Sequence, residues 1–106
     1  MGNPFLYFEN IAAEAESPAD GILSRTLIAN DALRVVLFAF SAGQELTEHT
    51  STMEAVMHFL SGEADLTLGD ESRSAGPGTW VRMEPKLKHS IRAKTPVQML
   101  LTLVKS

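Results

Sequence analysis

The side chains of this chain that could bind a metal ion or transfer a proton near neutral pH are three histidines, His49, His58 and His89, and its carboxylates. The 106 residues contain no cysteine, which excludes disulfides, thiolate nucleophiles and cysteine-ligated zinc or iron–sulfur sites. Imidazole and carboxylate ligands suit divalent manganese, iron, nickel, copper and zinc. Any metal site in this chain must therefore be built from histidines and carboxylates.

Two segments of the chain combine glycines and histidines. The first runs from Gly43 through His49 to Gly62, and the second runs from Gly78 to His89. Together they resemble the two sequence motifs of the cupin family, which are small β-barrels of the jelly-roll type, and the resemblance covers about residues 22–104. In that family, four side chains of the motifs converge on one divalent metal inside the barrel. The resemblance therefore implies that His49 and His89 are metal ligands.

The chain departs from the cupin motifs at four positions. Ser51 stands where the first motif has its second histidine, and Ala55 stands where it has a glutamate. In the second motif, Glu84 replaces the proline and Lys86 replaces the glycine. Because the first motif is degenerate, two of the four metal ligands that the resemblance implies are missing.

Glu54 and His58 could supply the missing ligands, because residues four apart share one face of a regular β-strand. Both faces of this strand are apolar, and the resemblance would place Ala55 inside the barrel and His58 outside. A one-residue bulge would reverse the two faces. Two hypotheses stay open: a metal site of His49, His58 and His89 with Glu54 beside it, or an apolar pocket that binds no metal.

Three methionines, Met57, Met83 and Met99, are predicted to line this pocket together with Glu54. Methionine side chains fit irregular apolar cavities, although plain core packing is their commoner role. An apolar interior with a few polar groups is typical of small-molecule sites. We therefore expect a small-molecule ligand in the barrel interior.

Charge is unevenly distributed along the chain, whose net charge is −4. Residues 1–72 contain twelve acidic and two basic side chains, whereas residues 73–106 contain one acidic and seven basic side chains. The acidic balance argues against a nucleic-acid-binding protein. Lys86 and Lys88, which flank the loop before His89, could attract an anionic substrate, or they are ordinary solvated turn residues.

The elements that must position these residues are predicted to be β-strands. Apolar segments of five to eight residues recur with turn residues about every ten residues, a pattern typical of antiparallel sandwiches and barrels. The predicted strands cover residues 22–29, 33–40, 55–60, 64–68, 79–83, 89–93 and 97–104. The fold prediction is an all-β, cupin-type jelly-roll β-barrel over residues 22–106, preceded by a short N-terminal arm, residues 1–21, that is either a short helix or irregular.

The sequence also predicts where the protein resides and which kinds of partner it does not bind. The longest apolar runs, residues 35–40 and 99–104, are far shorter than the ~20 residues of a membrane-spanning helix. Residues 1–5 lack the basic region of a secretory signal. We therefore expect a cytoplasmic protein that binds neither membranes nor nucleic acid.

A homodimer is also expected, because the resemblance implies one and because the arm is apolar at residues 5–8. Trp80 and Phe59 are predicted on the outer face of the sheet, where exposed aromatic side chains usually indicate an interface. A second copy of the chain could cover both regions.

Two classes of function follow from the resemblance. The first is a metal-dependent enzyme of the oxygenase or isomerase type, and the fold by itself cannot decide between these chemistries. The second is a non-catalytic cupin, either a metabolite-binding protein or a structural dimer, that has lost its metal site. The sequence contains no nucleophile elbow, phosphate-binding glycine loop or dinucleotide fingerprint that would indicate another kind of enzyme.

Overall fold

The computed structural model describes residues 4–105, so residues 1–3 and 106 lie outside it, including the start of the segment considered above for a secretory signal. The described chain contains one 3-10 helix, Ile11–Glu14, and nine β-strands. The strands are β1 (Ile22–Ala29), β2 (Leu33–Phe40), β3 (Glu45–His49), β4 (Glu54–Ser61), β5 (Ala64–Leu68), β6 (Glu71–Ala75), β7 (Trp80–Met83), β8 (His89–Ala93) and β9 (Val97–Val104).

Turn residues account for the strand boundaries. The Asn30 side chain, after β1, accepts hydrogen bonds from the backbone N–H groups of Ala32 at 2.8 Å and Leu33 at 2.9 Å, which is the local bonding expected of asparagine in turns. Gly62, between β4 and β5, has a φ of +82°, and a Cβ atom there would lie 2.0 Å from the carbonyl oxygen of Pro96. Only glycine fits this position without displacing the neighbouring backbone.

The strands form two antiparallel sheets. The five-stranded sheet has the order β1-β2-β9-β4-β7, and the four-stranded sheet has the order β3-β8-β5-β6. Their inner faces share one hydrophobic core, to which Met57 and Met99 contribute from the first sheet and Leu66 and Ile91 from the second. The predicted all-β fold is therefore confirmed.

Side chains on β4 alternate strictly between the core and the outer face. Ala55, Met57 and Phe59 are buried, whereas His58 between them is only half-buried. The prediction that Phe59 lies on the outer face beside Trp80 is wrong, because Phe59 is 0% exposed and belongs to the core. Trp80 does lie outside and is 59% exposed.

The described part of the arm, residues 4–21, is irregular apart from one short helix, and it packs against the outer face of the five-stranded sheet around Ala15. Ala15 is buried against Leu37 and Ala39 in a second, smaller apolar cluster. The Gln98 side-chain amide donates hydrogen bonds to the carbonyl oxygens of Ala12 at 2.6 Å and Ala15 at 2.7 Å. Because these two bonds join the arm to β9, Gln98 stabilises the docked arm.

The beginning of the described arm is not covered. Phe5, Leu6 and Tyr7 are 71%, 57% and 71% exposed.

No helix among residues 4–105 has both the length and the apolar character needed to span a membrane.

Candidate functional site

An open cavity of about 400 Å³ lies beside the end of β3 and the start of β8. Imidazoles and hydroxyls form one part of its wall, and aliphatic side chains form the rest. The lining residues are His49, Thr50, Ser51, Thr52, Ala55, His89, Leu101 and Leu103. The cavity therefore offers a ligand both polar and apolar contacts.

The two histidines of the cavity face each other across neighbouring strands. His49 is the last residue of β3 and His89 is the first residue of β8, and the two are register partners in this antiparallel pair. Their ring centroids are 4.1 Å apart with an interplanar angle of 58°. The strand pairing therefore brings together the two histidines for which the cupin resemblance predicts a shared site.

Backbone carbonyls determine which nitrogen of each ring carries hydrogen. The Nδ1 atom of His49 lies 2.7 Å from the carbonyl oxygen of Thr47, and that of His89 lies 2.9 Å from the carbonyl oxygen of Leu87. A carbonyl oxygen can only accept a hydrogen bond, so each Nδ1 is the donor. In the neutral rings, both Nε2 atoms therefore retain a lone pair.

Burial disfavours the charged form of His89, which is only 6% exposed. Desolvation lowers the pKa of His89 below its ordinary value of 6.5, the hydrogen bond to the Leu87 carbonyl opposes this shift, and the charge of nearby His49 adds to the lowering. His89 is therefore a neutral imidazole at neutral pH. It can accept a hydrogen bond through Nε2.

The loop before β8 closes against the cavity wall. The Lys86 N–H donates a hydrogen bond to the carbonyl oxygen of Ser51 at 2.7 Å, which joins this loop to the segment that follows His49. Lys86 has a φ of +71° and is the only non-glycine residue among residues 4–105 with a left-handed backbone. This is the position at which the cupin motif has glycine, so the chain keeps the glycine-like conformation but not the glycine.

His58 and Glu54 do not join the cavity, and the expectation that they face inward is corrected. The pairing of β4 with β9 is regular from Glu54 to Phe59, and its irregularity comes only after Phe59, so no bulge reverses the faces. His58 lies opposite Trp80 of β7 on the outer side of the sheet. The Glu54 carboxylate is paired there with the Arg82 guanidinium, with Nε 2.6 Å from Oε2.

The predicted methionines also lie elsewhere. Met57, Met83 and Met99 are all at most 2% exposed and belong to the closed core, so the expectation that they line the cavity is corrected. They point into the core between the two sheets, and none of them lines the cavity. Leu101 and Leu103, which line the cavity instead, are the next inward positions along β9 after Met99.

The sequence interpretation also missed two hydroxyl side chains, Thr50 and Thr52. Both line the cavity on either side of Ser51. A run of three consecutive hydroxyl residues directly after His49 was the available indication.

The donor set of the cavity does not fit the family's four-ligand metal site. Two histidines reach it, and no group of three or more histidine, aspartate or glutamate side chains suited to a metal occurs within the described part of the chain. The other polar groups of the wall are neutral hydroxyls. Protein zinc sites use at least three histidine, cysteine or carboxylate ligands, so two imidazoles alone make a weak site.

A comparison with protein families identifies the chain. The family model described as "Cupin domain" matches residues 36–104, which is more than half of the sequence and includes both histidines of the cavity. The chain belongs to the cupin family. The predicted family and the cupin-type barrel are thereby confirmed.

Solved structures agree with this assignment. This cupin superposes on a conserved protein of unknown function from Streptococcus pyogenes with a TM-score of 0.85 and 29% identity, covering 100% of this chain and 91% of that one. It superposes on a cupin superfamily protein from Desulfitobacterium hafniense with a TM-score of 0.87 and 24% identity, covering 95% of each chain.

A third structure extends the agreement. A Cupin 2 conserved barrel domain protein from Leptotrichia buccalis gives a TM-score of 0.84 and 27% identity, with 91% of this cupin matching 47% of that chain. Among curated proteins, none matches this cupin significantly. The comparisons therefore establish the family and the barrel.

Proposed function

We propose that this cupin binds a small metabolite, without a resident metal ion, in the cavity beside His49 and His89. One observation carries the proposal: the same open cavity of about 400 Å³ has imidazoles and hydroxyls on part of its wall and aliphatic side chains on the rest. Small-molecule sites typically have volumes of about 300–1,000 Å³ and combine a mostly apolar lining with a few polar groups.

The polar part of the wall suits recognition by hydrogen bonds. The neutral imidazole of His89 offers an Nε2 acceptor, because its Nδ1 is already bonded to the Leu87 carbonyl. The Ser51, Thr50 and Thr52 hydroxyls can each donate or accept. A ligand with one polar end and an apolar body would satisfy both parts of the wall.

A metal-dependent enzyme of the oxygenase or isomerase type has less support. It would require a third strong ligand at this cavity, and the side chains that could have provided it, His58 and Glu54, lie on the opposite face of β4. Ser51 and Ala55, which stand at the two altered motif positions, line the cavity without supplying a ligand of that kind.

A thermal-shift screen of metal-free protein tests the proposal. The panel should contain small amides, alcohols and carboxylic acids with branched apolar bodies, and binders should raise the melting temperature because they bind only the folded state. The His49→Phe variant keeps an aromatic ring but removes the nitrogen atoms, so it should lose most of the shift.

His58→Phe is the matched control, since it makes the same change on the outer face of the barrel. It should keep the wild-type response to the panel. A panel without any binder, or a response that His49→Phe leaves intact, would contradict metabolite binding in this cavity.

We also propose that two copies of the chain associate. Phe5, Leu6 and Tyr7 of the arm are largely exposed, and so is Trp80 on the outer face of the sheet. Exposed apolar side chains in such number on a small domain favour an interface. In a two-fold dimer, one patch of each copy could cover the corresponding patch of the other.

A further inference from the structure

Lys86 has an unusual backbone conformation. Its φ of +71° lies in the left-handed region, which is strained for any residue with a Cβ atom and which glycine adopts freely. Five glycines elsewhere in the described chain occupy positive φ values without this strain. Strained residues of this kind cluster at active and ligand-binding sites, where the surrounding structure holds them in place.

The backbone of Lys86 also adjoins a residue of the cavity wall. Its N–H is 2.7 Å from the carbonyl oxygen of Ser51, whose side chain lines the cavity. The Lys86 side chain is exposed, and four flexible methylene groups separate its backbone from the ammonium. The ammonium is therefore free to approach a ligand at the opening.

The positive charge of Lys86 has no carboxylate partner. The three ion pairs of residues 4–105 all use arginines, at Arg25, Arg73 and Arg82. None of the residues that line the cavity is acidic. Glu48 and Glu84 are the acidic residues nearest in sequence to His49 and Lys86, and both are exposed to water, where opposing charges are well screened.

We propose that the ligand of this cavity is a small monocarboxylate with an apolar body, and that Lys86 is the residue that selects the acid over its neutral analogues. The proposal rests on the proposed function and names its ligand class. The carboxylate would contact the Lys86 ammonium and the neighbouring Ser51 hydroxyl. The apolar body would contact Leu101 and Leu103.

Titration of metal-free protein with isovalerate and with its neutral isostere isovaleramide tests this assignment, with binding followed by calorimetry or by NMR. Wild type should bind the acid about tenfold more tightly than the amide, the effect of one charge-assisted contact. Lys86→Met keeps most of the apolar stem but removes the charge, and it should abolish this preference by weakening the acid alone.

Two further variants complete the experiment. Lys94 lies on the turn after β8, where its backbone N–H donates a hydrogen bond to the Glu63 carbonyl oxygen. Lys94→Met also removes one positive charge, and this variant should retain the preference for the acid. Lys86→Gly removes the same charge as Lys86→Met while relaxing the backbone, so it should lose the preference even if Lys86→Met folds poorly.

Three results would overturn the assignment: equal affinities of wild type for acid and amide, an undiminished preference in both Lys86 variants, or no binding of isovalerate. Neutral compounds could still bind in each of these cases. The wider screen of amides and alcohols with His49→Phe then decides separately whether the cavity binds metabolites at all.

Discussion

The imidazole rings of His49 and His89 lie 4.1 Å apart, centroid to centroid, each with its Nδ1 bonded to the carbonyl of the residue two positions earlier in the chain. The cavity thus contains two rings whose tautomers are determined by the backbone. His89 is nearly buried, whereas His49 is exposed. Because His89 is nearly buried, its protonation should affect the stability of the fold.

Stability should fall in mild acid because of His89. Its pKa in the folded protein is lowered from 6.5, mainly by desolvation, so the unfolded chain binds the proton more readily. The stabilisation is therefore complete above about pH 6.5 and is lost as the pH falls from there through the lowered folded pKa. Urea unfolding at several pH values between about 7.5 and 5 measures this dependence.

His89→Gln removes the titrating group, and its free energy of unfolding should depend less steeply on pH over the same range. The two proteins are compared by how steeply the free energy of unfolding changes with pH, because the substitution also alters packing and so shifts its absolute value. A variant slope equal to that of wild type would show that His89 is not the responsible group.

Metal content should be substoichiometric in protein purified without a histidine tag and without added metal. The physical reason is the donor set, in which only two imidazoles reach the cavity. Elemental analysis of wild type and of His49→Phe measures it. Stoichiometric metal that disappears in His49→Phe would instead assign a metal site to this cavity.

Lys86→Gly should make the protein more stable by up to about 1.5 kcal/mol. Relief of the left-handed backbone contributes about 1–2 kcal/mol, and the greater entropy of glycine in the unfolded chain offsets about 0.5–1 kcal/mol of it. Urea unfolding is the measurement. Lys88→Gly is the control: its φ is not positive, so it should destabilise.

Gly62→Ala should destabilise the barrel by about 3 kcal/mol or more, because the new Cβ atom would lie 2.0 Å from the Pro96 carbonyl oxygen at a φ of +82°. Thermal and urea unfolding both report this loss. Gly76→Ala is a suitable comparison, since no atom beyond its chain neighbours lies within 4 Å of the added Cβ and its φ is not positive. Equal stabilities of the two variants would contradict the close approach.

Association of two copies should depend on the apolar arm. Light scattering during size exclusion should give twice the 11.5 kDa mass of the chain for wild type and a lower average mass for a Phe5→Ser, Tyr7→Ser double variant. Glu9→Ser alters a neighbouring exposed residue of the arm and should leave the mass of the dimer unchanged. A wild-type mass of one chain would contradict the proposed dimer.

Most of the strand pattern was predictable because turn residues end the strands. The predicted segments 22–29, 33–40, 64–68 and 97–104 coincide with β1, β2, β5 and β9. Plain core packing, the commoner role of methionine, is the role that Met57 and Met99 have in the fold. Depth along the barrel axis, however, depends on how the sheets pack, and a strand's own pattern carries no information about it.

The direction of His58 could not be read from the sequence, because the outer face of its sheet is apolar too. That face contains Leu60 and Leu100, which pack around the cluster formed by Ala15 of the arm. The arm, which is distant from β4 in sequence, covers this outer face, so both faces of β4 can carry apolar side chains. Periodicity fails wherever a second layer covers the side that would otherwise face water.

The position of Trp80 has a consequence for spectroscopy. It is the only tryptophan of the chain, it is 59% exposed, and it lies on edge strand β7 on the outer side of the sheet. Its fluorescence will therefore respond to association of that surface with another molecule, while a compound entering the cavity will leave the emission nearly unchanged. An optical assay of ligand binding needs a fluorophore introduced at the cavity rim.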